Sequence, residues 1–366
     1  MRLLITTDTI GGVWTFSIEL VRGLLNRGCA IALVSFGREP SATQQRTCDV
    51  LAERFPERFL YVPSDIPLEW MEANGSAFKR AVPLLTRIAK DFEVDLLHSN
   101  QLCFGALNLQ IPKIVTVHSD VLSWAQSCGR TLADSPWLQR YLSLVRSGLL
   151  GATAVVTPTR WMMRTLAKLY PLPQAGIVIP NGRSIPPSDE PARTLQAITA
   201  GRLWDPGKDL SLLKDVDSPI PILVAGETEQ ESSAAPSVLG PFKLLGDMAE
   251  NQLLKLFRQS AIYLCTSIYE PFGLAPLEAA LCGCAVLARD IPSLHEVWQD
   301  SALYFEDAGS LSMLLKRLSD SPETLHEMQV RSVQRAQHFD RNRMVEQYLT
   351  LFVMTMADSM EAAYVG

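Results

Sequence analysis

Short continuous apolar runs alternate along this chain with polar turns and with stretches of helical period. The run 3–6 reads as a buried strand, followed by the turn Thr7-Asp8-Thr9-Ile10-Gly11-Gly12 and a helix with apolar Val13, Phe16, Leu20, Val21 and Leu24. Gly28 ends that helix and the run 31–36 is the next strand. Strand, glycine turn, helix and strand within about 36 residues is the size of one βαβ unit. The alternation continues at 94–97, 114–117 and 154–156, and each run ends in polar residues: His98-Ser99-Asn100, His118-Ser119-Asp120 and Thr157-Pro158-Thr159. In parallel sheets, ligands bind at such C-terminal strand ends.

After the proline-punctuated stretch 171–187 a second series begins, with apolar runs at 197–199, 220–224, 262–265 and 285–288. Each run precedes a turn and a helical pattern, which predicts two doubly wound α/β halves. The division falls at 1–172 and 173–344, and the C-terminal stretch 345–366 is expected to rejoin the first half. That tail has helical period, with Val345, Tyr348, Leu349, Phe352, Met356 and Met360 on one side, so it must pack on something.

Length and composition agree with this division. At 366 residues the chain exceeds what one core serves, and 47% hydrophobic with 20% charged residues is ordinary for a folded protein. The net charge of −6 argues against a general nucleic-acid binder, which needs a basic surface. Seven cysteines without a CxxC pair indicate neither a disulfide framework nor a zinc site, and a reducing cytoplasm is the expected setting. The start is too short in apolar residues for a signal-peptide core, and no run is long enough to span a bilayer. Lys79, Arg80, Arg87 and Lys90, near Val82, Leu84, Leu85 and Ile88, form either a membrane-touching amphipathic helix or, more simply, a solvated helix face.

The densest chemical signal follows the run 262–265. Glu270 closes a loop, Phe272, Gly273 and Leu274 follow it, and Glu278 sits on the next helix. Eight helical residues rise about 12 Å, enough for two carboxylates to reach hydroxyls at opposite ends of a nucleotide diphosphate sugar. Gly273 near a helix start lets a phosphate approach backbone N–H groups. Upstream, Gly201-Arg202-Leu203-Trp204-Asp205-Pro206-Gly207-Lys208 sets a forked and a point cation in one loop after a strand, which suits a diphosphate without a metal. Taken singly, each pair is an ordinary set of surface charges; their combination carries the reading. Asp215-Val216-Asp217 is read as a polar turn and Cys282-Gly283-Cys284 as core packing.

These stretches, ITAGRLWDPGKDLSLL, the long segment from VLGPFKLLGDM to IPSLHEV, the turn TIGGV and the strand end IVTVHSD, resemble retaining glycosyltransferases of the GT-B fold, family 4. The resemblance implies an α/β GT-B fold, two Rossmann-like domains facing a central cleft. It gives Arg202 and Lys208 the diphosphate, Glu278 the ribose, Glu270 the donor sugar, and Leu245 and Gly246 the nucleobase through their backbone. It sets His118 beside the reacting sugar, with Gly11 and Gly12 on the acceptor side and Gly12 also near the donor; Trp14, read from its place beside that turn, either stacks on the acceptor or packs in the core. The same resemblance implies a nucleotide-diphosphate sugar as co-substrate, no cofactor or metal, and a small-molecule, saccharide or lipid-linked acceptor; the base is left open, with UDP-glucose the first expectation and GDP-mannose the second.

Two departures stand out: Pro292-Ser293-Leu294-His295 precede Glu296 where many relatives carry a Gly-Gly pair, and Arg183-Ser184 follow Asn181-Gly182 where relatives often show a hydrophobic residue and Asp. The hinge-side contact at Arg183 is therefore not carried over. A dinucleotide-dependent oxidoreductase fits poorly, because the Gly11-Gly12 turn lacks GxGxxG spacing and the run 31–36 ends in Gly37-Arg38. A non-catalytic nucleotide-sugar binder of the same fold and a nucleotide-sugar epimerase compete with transfer as readings of the same residues. The loops 64–76 and 119–136 are expected to read the acceptor, which the sequence does not name.

Overall fold

The computed structural model describes residues 1–71, 74–173, 176–186, 193–227 and 242–365, without the side chains of 74 and 360–365. Residues 238–241 of the long matching segment, 72–73 of the first acceptor loop and parts of the stretch 171–187 lie outside the described residues, and so does the side chain of Met360 on the C-terminal apolar side.

The chain forms two units, each a parallel sheet covered by helices. The first runs from Met1 to Gly182, apart from Gln126–Gly129, and resumes at Arg341; the second is Arg183–Asp340 with Gln126–Gly129. In the first unit β1 (Arg2–Asp8), β2 (Ala30–Phe36), β3 (Phe59–Pro63), β4 (Leu96–Ser99), β5 (Lys113–Thr116), β6 (Ala154–Thr157) and β7 (Ile177–Val178) pair in the order β3-β2-β1-β4-β5-β6-β7. Around them lie α1 (Gly12–Asn26), α2 (Ala42–Arg54), α3 (Ala77–Asp91), α4 (Val121–Ser127), α5 (Pro136–Gly151) and α6 (Arg160–Leu169). Nearly every residue of β1, β2, β4 and β6 is buried, which is why these strands read as continuous apolar runs rather than as alternation. β7 pairs with β6, so the first unit extends ten residues past the division expected at 172.

The second unit repeats the plan with β8 (Thr194–Ala200), β9 (Ile222–Ala225), β10 (Phe242–Gly246), β11 (Ser260–Cys265), β12 (Ala285–Arg289) and β13 (Leu303–Phe305), in the order β10-β9-β8-β11-β12-β13. Its helices are α7 (Glu250–Gln259), α8 (Leu274–Leu281), α9 (Pro292–Trp298), α10 (Ala308–Asp320) and α11 (Pro322–Ala336). Side-chain caps start several helices: Ser135 on α5, Thr159 on α6, Asp307 on α10 and Ser321 on α11. In each sheet the order reverses beside the first strand, between β1 and β4 and between β8 and β11. Those are the topological switch points at which doubly wound sheets open a crevice.

The final helix, α12 (Arg341–Val365), belongs to the first unit. Tyr348 and Phe352, both fully buried, pack their rings against His98 of β4, and Tyr348 also meets Phe16 of α1. Thr116 Oγ1 bridges His98 Nε2 at 2.8 Å and the Tyr348 hydroxyl at 3.1 Å, so this histidine is a buried core side chain held through Nε2. α3 turns Ala81, Leu85 and Ile88 into the first core, and Val82 and Leu84 pack against it. The apolar side of the basic helix is therefore covered, and Lys79, Arg80, Arg87 and Lys90 project outward. Among the described residues no helix is long and apolar enough to cross a membrane.

The tightest backbone approach in the first unit joins α5 to the turn after β4. A Cβ on Gly148 would lie 1.9 Å from the Leu102 carbonyl oxygen, and one on Gly105 would lie 2.0 Å from that of Gly148. Backbone on both sides cannot yield cheaply. Gly148→Ala is expected to lower stability by about 2–3 kcal/mol, whereas Gly75→Ala, whose Cβ meets only Arg140 at 3.9 Å, stays near wild type; urea unfolding of the two variants side by side checks this.

Candidate functional site

The strongest cluster stands at the switch point of the second sheet, where one loop leaves β8 and another leaves β11. Three strand ends meet there through glycines. Gly201 N–H donates to the Ala225 carbonyl at 3.1 Å and Gly226 N–H to the Gly246 carbonyl at 2.7 Å. A Cβ on Gly226, whose φ is +139°, would fall 1.7 Å from the Gly201 oxygen, so only glycine lets β8 and β9 end this close. Leu245 and Gly246 thus close β10 beside the loop that carries Arg202.

Beyond Gly201 the loop is organised by Asp205. Its Oδ1 accepts from Gly207 N–H at 2.8 Å and caps a single 3₁₀ turn, Pro206–Lys208, while its Oδ2 accepts from Arg202 Nη2 at 2.7 Å. Arg202 also lies over the Trp204 ring, 5.4 Å from its centroid. One buried carboxylate therefore orients both cation-bearing ends of the loop. The Gly207 carbonyl accepts from Ile268 N–H at 2.9 Å and Tyr269 N–H at 3.2 Å, and Thr266 Oγ1 donates to the Lys208 carbonyl at 2.6 Å. These bonds lock the β8 loop to the β11 loop and bring Lys208 Nζ within 2.5 Å of Glu270 Oε2. Ser267 Oγ donates to the same carboxylate oxygen at 3.2 Å.

The Lys208 and Glu270 side chains are mostly buried, 22% and 14% exposed, and Arg202 keeps 37%. Burial alone pulls the Lys208 ammonium down, but the Glu270 carboxylate beside it outweighs burial and holds the group above the ordinary lysine value. Lys208 stays a cation at neutral pH.

Helix α8 begins only at Leu274, so the eight residues between Glu270 and Glu278 are half loop and half helix, and the 12 Å helical rise expected for them does not apply. Gly273 turns the chain at φ +92°, where a Cβ would press on Pro276 at 2.7 Å, and no side chain caps the first turn of α8. The N–H groups of Leu274 and Ala275 are left to an outside acceptor, at the positive end of the helix dipole. Phe272 turns its side chain into the core, edge to face with Phe339 at 5.2 Å, and only its backbone lines the turn.

Glu278 is held by Arg183, the residue whose place in the family pattern was not carried over. Arg183, 4% exposed, donates from Nε to Glu278 Oε1 at 2.8 Å and pairs through Nη2 with Glu250 on α7. This guanidinium ties the helix after β10 to the helix after β11. Its partners lie 95 and 67 residues away, so no local pattern reveals it. Asp205 and Ser267 were also missed, although an Asp two residues before Gly207 is a recognisable turn signal. Asp217 N–H donates to Ser312 Oγ at 2.9 Å with Val216 buried between the two acids, and the Cys284 thiol donates to the Phe257 and Ser260 carbonyls. Among the described residues no group of three His, Cys, Asp or Glu side chains is placed to hold a metal ion.

In the first unit, the ends of β1, β4 and β5 converge on Asn100. Its Nδ2 donates to the Thr6 carbonyl at 2.7 Å and to Ser17 Oγ at 3.1 Å, which turns Oδ1 toward His118 Nε2 at 2.9 Å. His118 must then carry its proton on Nε2 and present Nδ1 as an acceptor. Phe16 packs edge-on against the imidazole at 4.4 Å, and burial pulls its pKa down to about 3. Gly11 and Gly12 are exposed at the turn into α1, with Gly11 at φ +74°, and Trp14 rests edge-on against Tyr61 at 6.2 Å.

The geometry fits what the chain resembles. A family model described as Glycosyltransferase Family 4 matches residues 10–185, and one described as Glycosyl transferases group 1 matches 208–335. The chain belongs to the family 4 type of GT-B glycosyltransferases. It is an enzyme of the glycosyl-transfer class. This glycosyltransferase is 24% identical to the α-maltose-1-phosphate synthase of Mycobacterium tuberculosis over 291 residues, 68% of this chain and 72% of that one. Its fold is similar to that of sucrose-phosphate synthase from Thermosynechococcus elongatus, with a TM-score of 0.76 at 16% identity over 98% of this chain and 100% of the other. It is also similar to Anabaena HepE in complex with UDP and glucose, with a TM-score of 0.72 at 18% identity over 96% and 99%.

Two outcomes follow for this glycosyltransferase. Arg183→Ala removes the buried guanidinium from beside the Glu278 carboxylate, 11% exposed, and should destabilise the second unit by about 3 kcal/mol, read by chemical denaturation. The His118 pKa is depressed from 6.5, so the unfolded chain binds the proton first, and stability held above pH 6.5 is lost as pH falls toward 3. His118→Asn should flatten that part of the stability–pH curve; an unchanged slope would place the acid sensitivity elsewhere.

Proposed function

We propose that this enzyme transfers a hexose, glucose in the first instance, from a nucleotide-diphosphate sugar to a saccharide or lipid-linked acceptor with retention of anomeric configuration. The observation that carries the reading is the 2.5 Å contact of Lys208 Nζ with Glu270 Oε2, at the switch point beside Arg202. In this reading Arg202 and Lys208 meet the diphosphate, and the open N–H groups of Leu274 and Ala275 face a phosphate oxygen. Glu270 accepts from a donor-sugar hydroxyl and Glu278 from the ribose, while the backbone of Leu245-Gly246 lies beside the base.

The chemistry follows from charge. As the glycosidic bond to the diphosphate breaks, negative charge grows on the leaving oxygen, and two preorganised cations stabilise that charge more than they stabilise the ground state. Lys208 serves this because Glu270 keeps it protonated, and Asp205 fixes Arg202 without reorganisation during reaction. The cations supply the compensation without a metal. The departing phosphate takes the acceptor's proton on the same face, which gives retention without a protein nucleophile. His118, neutral and fixed in one tautomer, acts as a hydrogen-bonding group rather than as a titrating acid. The Anabaena relative whose structure holds UDP and glucose supports a UDP-sugar as the first donor to try.

Lys208→Ala should lower kcat by about 10²- to 10³-fold while the far-ultraviolet circular dichroism stays that of wild type. The assay is a transfer measurement against UDP, GDP, ADP and dTDP sugars. A wild-type rate in purified Lys208→Ala would remove the assignment, and binding of donor without hydrolysis or transfer would favour a non-catalytic binder of this fold.

A further inference from the structure

A cavity lies in the first unit, away from the turn at Gly11-Gly12. It has a volume of about 520 Å³ and opens between α1, α2 and the start of α12. Helical period puts its walls together. Arg22 and Asn26 are four apart on α1, Thr43, Thr47, Val50 and Arg54 share one face of α2 with Arg46, and Arg341 opens α12. Gly12 and Arg22 stand at opposite ends of α1, about 15 Å apart along its axis.

The charge in this cavity is unbalanced. Four guanidinium groups line it in a chain whose net charge is −6. Glu19, 1% exposed, lies 3.8 Å from Arg22 and 3.5 Å from Arg341, so one buried carboxylate answers two of the four. Arg46 meets only the Thr43 hydroxyl, at 3.2 Å, and Arg54 meets Asn26 Oδ1 at 3.4 Å and stacks over Phe55 at 5.2 Å. Among the described residues neither of them is paired with a carboxylate. Mutually repelling cations around an open hollow are stabilised by an anion, and guanidinium forks match phosphate oxygens two at a time. Val50, 60% exposed, with Leu51 and Phe55, adds an apolar wall. The volume is that of a small-molecule site.

We propose that this cavity is a binding site for a phosphate monoester or diester with a short apolar portion, separate from the loops at Lys208 and Glu270. Arg46 and Arg54 grip the phosphate, Arg22 and Arg341 line the floor over Glu19, and Val50 and Phe55 cover the apolar part. The phosphate can belong to a free phosphoester or to a lipid headgroup.

The test uses the full chain carrying Arg202→Ala and Lys208→Ala, so that the cluster of the second unit does not bind the probe. Glycerol 3-phosphate is titrated by calorimetry, and vesicles of phosphatidylcholine with and without phosphatidylglycerol are tested by sedimentation. The expected result is binding of at least one phosphate probe that falls about tenfold or more when Arg46→Ala and Arg54→Ala are added. Both arginines are exposed, so the circular dichroism and melting temperature should not change with them. Dependence seen with glycerol 3-phosphate identifies a free phosphoester, and dependence seen only with phosphatidylglycerol vesicles identifies a headgroup. Either supports the site. Failure of both probes to bind, or binding that ignores the two arginines, overturns it. Because the probe is read in a donor-loop variant, failure here leaves the assignment of Lys208 and Glu270 untouched.

Discussion

The lock between the β8 and β11 loops is the constraint on which the second unit's site depends. The Gly207 carbonyl accepts two N–H groups from Ile268 and Tyr269, and that backbone junction sets Lys208 beside Glu270. Lys208 and Glu270 carry opposite charge, are mostly buried and touch, so each offsets the desolvation of the other. A mostly buried lysine alone would tend to give up its proton, and the pairing is what keeps a cation in a partly dry place. The topology explains why the lock is here. β8 and β11 flank the reversal of strand order, and their following loops leave the sheet side by side.

The rest of the site is built outward from that junction by single residues with two tasks. Asp205 caps a turn with one oxygen and orients Arg202 with the other. Arg183 pairs with both Glu278 and Glu250, so one guanidinium links the helices after β10 and β11 at the carboxylate proposed to meet the ribose. Gly226 removes a side chain that would otherwise force the ends of β8 and β9 apart. In the first unit Asn100 does for His118 what Asp205 does for Arg202, since its bonds to Thr6 and Ser17 leave only one way to face the imidazole.

Much of this was legible in the chain because buried parallel strands write themselves as apolar runs ending in polar residues. The strands with interior places, such as β1, β2, β11 and β12, were found that way, and the loops bearing Arg202, Lys208 and Glu270 followed from their positions after a strand. The strands that stand at sheet edges, β3, β7, β10 and β13, are short and only partly buried, and they were not read. Arg183 was seen only as a departure from the family pattern, because an ion pair across 95 residues leaves no spacing to recognise. Phe272 was placed at the donor from its neighbours, yet an aromatic beside a glycine turn can point either way, and this one points into the core. The cationic cavity escaped notice because its arginines come from three helices, and their excess charge is invisible in a net charge of −6.

The central claim is that Arg202, Lys208 and the N–H groups of Leu274 and Ala275 grip a diphosphate. Phosphorus NMR of UDP titrated with the wild-type protein tests it most directly. Both phosphorus resonances should shift or broaden together with the uracil and ribose protons as complex forms. Perturbed base and ribose protons beside two unaffected phosphorus resonances would contradict it.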